Sequence, residues 1–436
     1  MRLPTELKPR PVPVPVPAPA AVAPVSATAP VSVSVSVSVS WERYFSRSAH
    51  AMVPSEVRSL FSVAARPGIV SLAGGMPDVS ALPPDTMAGI VADVVREHGA
   101  TALQYGSAQG DPGLRERICS VMALEGISAR PEDVMVTVGS QQALDLLARV
   151  LLDPGDTVVA EGPTYVTALG TFKAAGARVV QVAMDRAGVV PDELAAAFRR
   201  LAAEGRPAKF FYTVPTFQNP TGATVPAGRR ARILEVCRAA GVLVVEDNPY
   251  GLLHYDGEPT RALAADDPER VVYLGSFSKT LAPGLRVGWV HAPAALTAKL
   301  VLAAESAMLS HSALAQLTVD RYLRTQPWRE RLADFRAGYR ARRDAMLRAL
   351  SASMPAGVSW TVPDGGFFIW LTLPEGMDSR ELLPHALAAG VAFVPGTGFY
   401  ADGRGARHLR LSFSYPPAER IDEGVRRLAA VITAHL

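Results

Sequence analysis

Lysine is nearly absent from this chain. Of its 436 residues 44 are lysine or arginine, and only five of those are lysine: Lys8, Lys173, Lys209, Lys279 and Lys299. A composition this biased places arginine wherever positive charge alone suffices, so each retained lysine raises the question of what its amine does. Cysteine is scarcer still. Cys119 and Cys237 lie far apart in helix-like stretches with no Cys-x-x-Cys pattern, which suggests a reducing compartment and small core side chains. The eight histidines show no HxxxH or HxxE spacing, so no metal is expected. No apolar run reaches the roughly 18 to 20 residues that span a bilayer, so no membrane partner is expected and the chain reads as soluble and cytoplasmic. The net charge of +3 is small, and the arginines are scattered among acids, so nothing points to nucleic acid.

What is present begins with length. A chain of 436 residues exceeds one ordinary core, and a large domain with a smaller companion is expected. Residues 1–40 stand apart: "PRPVPVPVPAPA" and a Val/Ser alternation carry no large apolar group to bury, and they read as a disordered tail, extended at the prolines, with a β edge as the competing reading because the Val/Ser alternation matches a strand period. The prolines also interrupt any signal-peptide core. From residue 131 short β-branched runs alternate with helical patterns: "DVMVTV", "DTVVAE", "ARVVQVAM", "KFFYTV", "VLVVED" and "RVVYLGS" are separated by segments such as "SQQALDLLARVLL" and "PDELAAAFRRLAAE". This is the grammar of an α/β domain with a mostly parallel sheet, since parallel strands need helical crossovers. Ligands of such sheets sit outside the carboxyl ends of the strands.

Those ends carry chemistry. Ser140 and Gln141 open a helix after the first strand, Tyr165 follows the second, Asn219 lies in "PTFQNPTG" after the fourth, Asp247 and Tyr250 follow the fifth, and Ser276, Ser278 and Lys279 follow the sixth. A buried lysine amine of lowered pKa condenses with carbonyls, which arginine cannot do. Partnered by an acid for a pyridinium nitrogen and a helix N-terminus for a phosphate, it meets the requirements of pyridoxal phosphate. Arg286 is near enough in sequence to add a charge-assisted bond to that phosphate.

With these stretches in view the chain resembles a fold-type I, class I/II aminotransferase that uses pyridoxal 5'-phosphate. The matching segments are "VSLAGGMPD" (70–78), "LQYGSAQGDPGLRE" (103–116), "VTVGSQQALDLL" (136–147), "EGPTY" (161–165), "QNPTG" (218–222), "EDNPYG" (246–251), "GSFSKTLAPGLRVGW" (275–289), "DGGFFIW" (364–370) and "LRLSF" (409–413). The resemblance runs from about residue 41 to the end. It implies a mostly parallel seven-stranded sheet in a large domain (83–310), a smaller α+β domain (311–436) and an N-terminal arm (41–82) packed on the latter. It makes Lys279 the imine-forming lysine, Asp247 the pyridinium partner and Tyr165 the stacking ring, with Asn219 and Tyr250 on the ring oxygen. Ser140, Gln141, Ser276, Ser278 and Arg286 fall where the family binds phosphate. Tyr105 matches a tyrosine that reaches the neighbouring subunit's phosphate, which implies a homodimer with shared active sites.

On the substrate side the resemblance gives Arg410 the α-carboxylate, a task for a planar guanidinium fork, and has Gly74 and Gly75 leave room for substrate backbone. The subgroup it most resembles acts on 2-aminoadipate, kynurenine, aromatic and branched-chain amino acids, with a 2-oxo acid such as 2-oxoglutarate taking the amine. There Arg58 matches a position that contacts a distal carboxylate; a plain surface arginine is the competing reading. The same fold and lysine also serve lyases, decarboxylases and oxidases. A non-catalytic amino-acid sensor would need a DNA-binding module of roughly 60 to 70 residues, which the Pro/Val/Ser tail does not resemble. The arginines of "WRERLADFRAGYRARRDAMLRAL" are expected to form a solvated face laced with acids.

Overall fold

The structure, a computed structural model, describes residues 40–52, 66, 68–80 and 82–436. Nearly all of the Pro/Val/Ser tail and Arg58 lie outside the described residues. The chain divides into two compact units, Met1–Phe45 and Ser46–Leu436. In the first, Trp41–Tyr44 forms a single 3-10 turn with Trp41 and Tyr44 exposed. The remaining elements belong to the second.

A two-residue strand β1 (Val70–Ser71) pairs in parallel with β12 (Val391–Ala392). The large sheet holds β2 (Val134–Thr137), β3 (Thr157–Gly162), β4 (Arg178–Asp185), β5 (Gly188–Val189), β6 (Ala208–Thr213), β7 (Leu243–Asp247), β8 (Val271–Ser276) and β9 (Gly288–His291), in the order β2-β9-β8-β7-β6-β3-β4-β5. The run β8-β7-β6-β3-β4 is parallel throughout. Eight strands are present where seven were expected, because the two-residue β5 folds back antiparallel on β4 at the edge. Sequence periodicity did not distinguish β9, four residues directly after the lysine segment that insert antiparallel between β2 and β8.

Strand alternation builds two separate cores. Phe211, Val244 and Tyr273 face one side, with Leu114, Leu194, Phe198 and Ile233 from three helices. Their strand neighbours Phe210, Tyr212, Val245 and Val272 face the other, with Leu144, Leu147, Phe172 and Leu300 from the helices Gly139–Leu151, Val166–Ala174 and Ala294–Met308. A period of two with both faces covered is what a parallel sheet demands, and each buried Leu or Phe contributes about 1.5–3 kcal/mol. Helix ends follow local chemistry: Asp111 Oδ1 accepts from Leu114 N at 2.9 Å to start Pro112–Met122, and Gly241 at φ 68° ends Ala227–Ala240.

A second sheet of four strands, β10 (Ser359–Trp360), β11 (Phe368–Thr372), β13 (Val394–Pro395) and β14 (His408–Ser412), runs β10-β11-β14-β13, all antiparallel. The long helix Trp328–Ser353 corrects one expectation. Its arginines do not all form a solvated face: Arg336 Nε donates to Leu252 O at 2.7 Å, Arg343 Nη1 to Pro363 O at 2.9 Å, and Arg342 donates to both Asp78 and Ser414 O. The helix is too long to touch one neighbour only, and guanidinium forks satisfy the carbonyls of loops it crosses. No described helix is long and apolar enough to cross a membrane.

Candidate active site

A cavity of about 740 Å³ opens at the carboxyl ends of β2, β3, β6, β7 and β8. Its far wall comes from Gly75 and Met76, just after β1, and from Phe368 and Arg410 on the small sheet. Ser140, Gln141, Tyr165, Asn219, Asp247, Tyr250, Ser276, Ser278, Lys279 and Arg286 all line it. Its size fits a cofactor with a small substrate.

One end is an anion cradle. The helix Gly139–Leu151 begins there, so its free N–H groups and positive dipole end face the cavity beside Ser140. Pro283–Leu285 forms a single 3-10 turn, Arg286 follows in the left-handed region (φ 54°), and its guanidinium returns to Val138 O at 2.9 Å. A Cβ on Gly139 would meet Arg286 Nη2 at 2.8 Å, so the arginine occupies the room that this glycine leaves. Ser276 Oγ accepts from Ser278 N at 3.0 Å and fixes the loop into Lys279. Gln141 turns partly away: its Nε2 donates to Thr171 Oγ1 at 2.9 Å, while its buried Oε1 has no partner.

At the centre, Lys279 Nζ donates to Gly75 O at 2.9 Å. Burial, with Arg410 and Arg286 nearby, lowers its pKa to about 8. Asp247 ends β7 and is buried. One oxygen accepts from Tyr212 OH at 2.7 Å, and the other, Oδ1, has no partner. Burial lifts its pKa to about 6 against the opposing bond from Tyr212. Tyr165 stands at the N-cap of Val166–Ala174, and burial raises its phenol pKa. Burial drives the Tyr250 phenol well above its ordinary range.

Arg410 sits mid-strand in β14 between Trp370 and Val394, not on a solvated edge. Its Nη1 donates to Asn219 Oδ1 at 2.9 Å and its Nη2 to Ala73 O at 2.7 Å, with the guanidinium 4.2 Å from the Phe368 ring centre. Its Nε is buried without a partner, and no carboxylate pairs with it among the described residues. Burial lowers its pKa to about 10, so it remains a cation at neutral pH. A buried cation without a counter-ion is costly unless an anion arrives. A Cβ on Gly75, which lines the cavity, would meet Phe368 at 2.7 Å, so the glycine makes room for that ring. Tyr105 is 76 % exposed and does not line the cavity of its own chain.

Three buried polar residues escaped the sequence reading. Tyr212 holds Asp247. Glu161, at the end of β3, accepts from Thr213 Oγ1, Val214 N and Gln218 Nε2, and so braces the loop that carries Asn219. Glu125 accepts from Asn248 Nδ2 at 2.7 Å behind the Asp247 turn. Each is isolated in sequence from the group it supports, so no local motif marks it.

The residues fit pyridoxal phosphate. An unpaired buried carboxylate oxygen suits a protonated ring nitrogen, an amine of lowered pKa suits an aldehyde, and a helix N-terminus with hydroxyls and an arginine suits a phosphate. Comparison with known proteins agrees. The family model "Aminotransferase class I and II" matches residues 68–428. Aromatic-amino-acid aminotransferase 1 of Thermococcus litoralis is 43% identical over 394 residues, 90% of this chain and 94% of that protein. The crystal structure of Pyrococcus horikoshii kynurenine aminotransferase, in complex with PMP, KYN as substrates and KYA as products, superposes with a TM-score of 0.87 at 41% identity. It covers 91% of this chain and 98% of that one. LysN, the alpha-aminoadipate aminotransferase of Thermus thermophilus, complexed with N-(5'-phosphopyridoxyl)-L-leucine, gives a TM-score of 0.84 at 38% identity, covering 91% of this chain and 99% of that one.

Proposed function

Because the chain belongs to the class I and II aminotransferases, we propose that it moves the amino group of an L-α-amino acid of the 2-aminoadipate, aromatic or branched-chain type to a 2-oxo acid such as 2-oxoglutarate. The two substrates use one site in turn, in a ping-pong cycle. The observation that carries this reading is the buried, carboxylate-free Arg410 in the same cavity as the Lys279 amine. An α-carboxylate would complete the guanidinium fork and place the α-carbon toward the lysine.

Bound pyridoxal phosphate supplies the electron sink that stabilises a carbanion at the substrate α-carbon and carries the amine between half-reactions. The chain's residues do the rest. Ser140, Gln141, Ser276, Ser278 and Arg286 would hold the phosphate. Asp247 Oδ1 would keep the ring nitrogen protonated, Tyr165 would cover the ring, and Asn219 and Tyr250 would bond its oxygen. Lys279 Nζ would take the α-proton, a role that its lowered pKa supports. Phe368 packs on the Arg410 guanidinium at the carboxylate end and would help to orient it. Tyr105, exposed in its own chain, is proposed to reach the phosphate of a second copy in a homodimer.

Names of relatives support the substrate class without choosing a member: aromatic amino acids, kynurenine and alpha-aminoadipate all occur among them. A panel of amino acids against 2-oxoglutarate and pyruvate, read as kcat/KM, tests the choice. Preference for a substrate that is neither of the 2-aminoadipate, the aromatic nor the branched-chain type would overturn it. Run on Arg58→Ala, the same panel decides the distal-carboxylate role: acidic substrates alone should weaken.

A further inference from the structure

We propose that Tyr212 is a positioning residue for Asp247: its hydroxyl holds one carboxylate oxygen and leaves the other as the single acceptor presented to the cofactor's ring nitrogen. The proposal rests on the reading of Asp247 given above and names the group that orients it.

Strand register brings the two together. Tyr212 of β6 lies opposite Val245 of β7. Asp247, two residues beyond Val245, therefore shares that sheet face as a diagonal neighbour, within reach of a tyrosine. The bond is 2.7 Å from hydroxyl to Oδ2, between a fully buried ring and a carboxylate 3 % exposed. Strands β3 and β7 flank Tyr212, and Phe172 meets its ring edge-on at 5.4 Å, so the hydroxyl has one direction to point. No other donor bonds the Asp247 carboxylate among the described residues, and Oδ1 is left without a partner.

A phenol suits this task because it keeps its proton. Burial and the Asp247 charge push the Tyr212 pKa far up, so its O–H always donates and never competes as an anion. The bond stabilises the ionised carboxylate, whereas burial favours the neutral acid. Tyr165 after β3 and Tyr250 on the β7 turn also face this carboxylate, and Lys279, Arg286 and Arg410 line the same cavity. Removing the Tyr212 hydroxyl leaves burial less opposed, so the carboxyl should become neutral at a higher pH and hold the ring nitrogen less well.

The test is Tyr212→Phe, which keeps the ring and removes one hydroxyl. Titration of the apoprotein with pyridoxal phosphate should show affinity weakened roughly tenfold or more, as loss of a bond to a charged acceptor predicts. The acid limb of kcat/KM should move to higher pH. Unchanged affinity together with an unmoved acid limb would sink the proposal, as would lowered thermal stability with both readouts at parent values. Asp247→Asn, run alongside, separates the two layers. If Asp247→Asn keeps affinity and turnover, the reading of Asp247 itself fails; if it loses both while Tyr212→Phe matches the parent, only the role of Tyr212 fails. Should Tyr212→Phe not fold, Tyr212→His retains a ring donor, and its acid limb must lie closer to the parent's than that of Tyr212→Leu.

Discussion

Glu246 and Asp247 are adjacent in the chain and end β7 on opposite faces of the sheet. Glu246 enters a closed network: its oxygens accept from Leu263 N and Ala264 N at 3.0 and 2.9 Å, and Arg230 stands 3.6 Å away. Every Arg230 nitrogen is bonded in turn, to Val225 O, Arg261 O, Pro215 O and Thr216 Oγ1. Glu125 joins on the same side, with Asn248 and Tyr273 each donating at 2.7 Å, and Gly251 carries no side chain because that carboxylate fills its place. Asp247 faces a cavity where Oδ1 and Arg410 Nε have no partner and the Lys279 amine has a single hydrogen bond. Both sides bury acids and an arginine. What separates a brace from a binding site is whether the buried groups are already satisfied.

Lys279→Ala should break the open side most severely. With the reactive amine gone, turnover should fall by at least about 10⁴-fold, and the absorbance band that depends on the covalent bond between this amine and the cofactor should vanish. The thermal midpoint of the apoprotein should not fall, since an unpaired cation in a cavity stabilises little. Turnover near the parent value, with the band intact, would mean that the open valences do not mark the site.

The two arginines sharpen the contrast. Arg230→Met should cost about 3–5 kcal/mol of folding stability, because Glu246 is left buried without its cation. In the surviving folded protein, kcat/KM should change by only a few-fold. Arg410→Met should do the reverse, with kcat/KM down roughly 10²- to 10³-fold for the loss of two charge-assisted bonds to a carboxylate and denaturant midpoints close to the parent. If both variants lost stability equally, satisfaction of the buried groups would not distinguish the two sides.

Much of this was legible beforehand, for a physical reason. Lys279, Asp247 and Asn219 follow strand ends, and α/β grammar puts strand ends on one edge whatever the details of packing. Tyr212 was not legible: in "KFFYTV" it is one aromatic among three, and only the β6–β7 register reveals that its hydroxyl meets an acid 35 residues on. Glu125 closes a helix 123 residues before the amide that it holds, and Arg342 finds Asp78 across 264 residues. Helical spacing says that such arginines share a face, but not what crosses that face. Strand β9 was missed because four residues after a glycine turn carry too short a pattern, and its antiparallel direction is set by pairing on both sides. The acids show the limit best. The motif "EDNPYG" presents two carboxylates, and the period of two guarantees that only one of them faces the cavity.

The smallest expected effect concerns how that cavity tunes its amine. Lys279 sits near Arg410 and Arg286 with its pKa lowered to about 8, so in the apoprotein its proton is lost as pH rises through that value. Only the neutral amine can bond the cofactor's aldehyde carbon, so the rate of cofactor capture should rise roughly tenfold between pH 7 and pH 9 and then level off. Stopped-flow absorbance on apoprotein mixed with pyridoxal phosphate measures it. The like charges give the sign of the control: Arg410→Met removes one repulsive neighbour, favours the protonated amine and should carry the rise to higher pH. A rise that stayed put would leave burial and Arg286 as the causes. A rise that moved down would contradict the placement of that guanidinium near the amine.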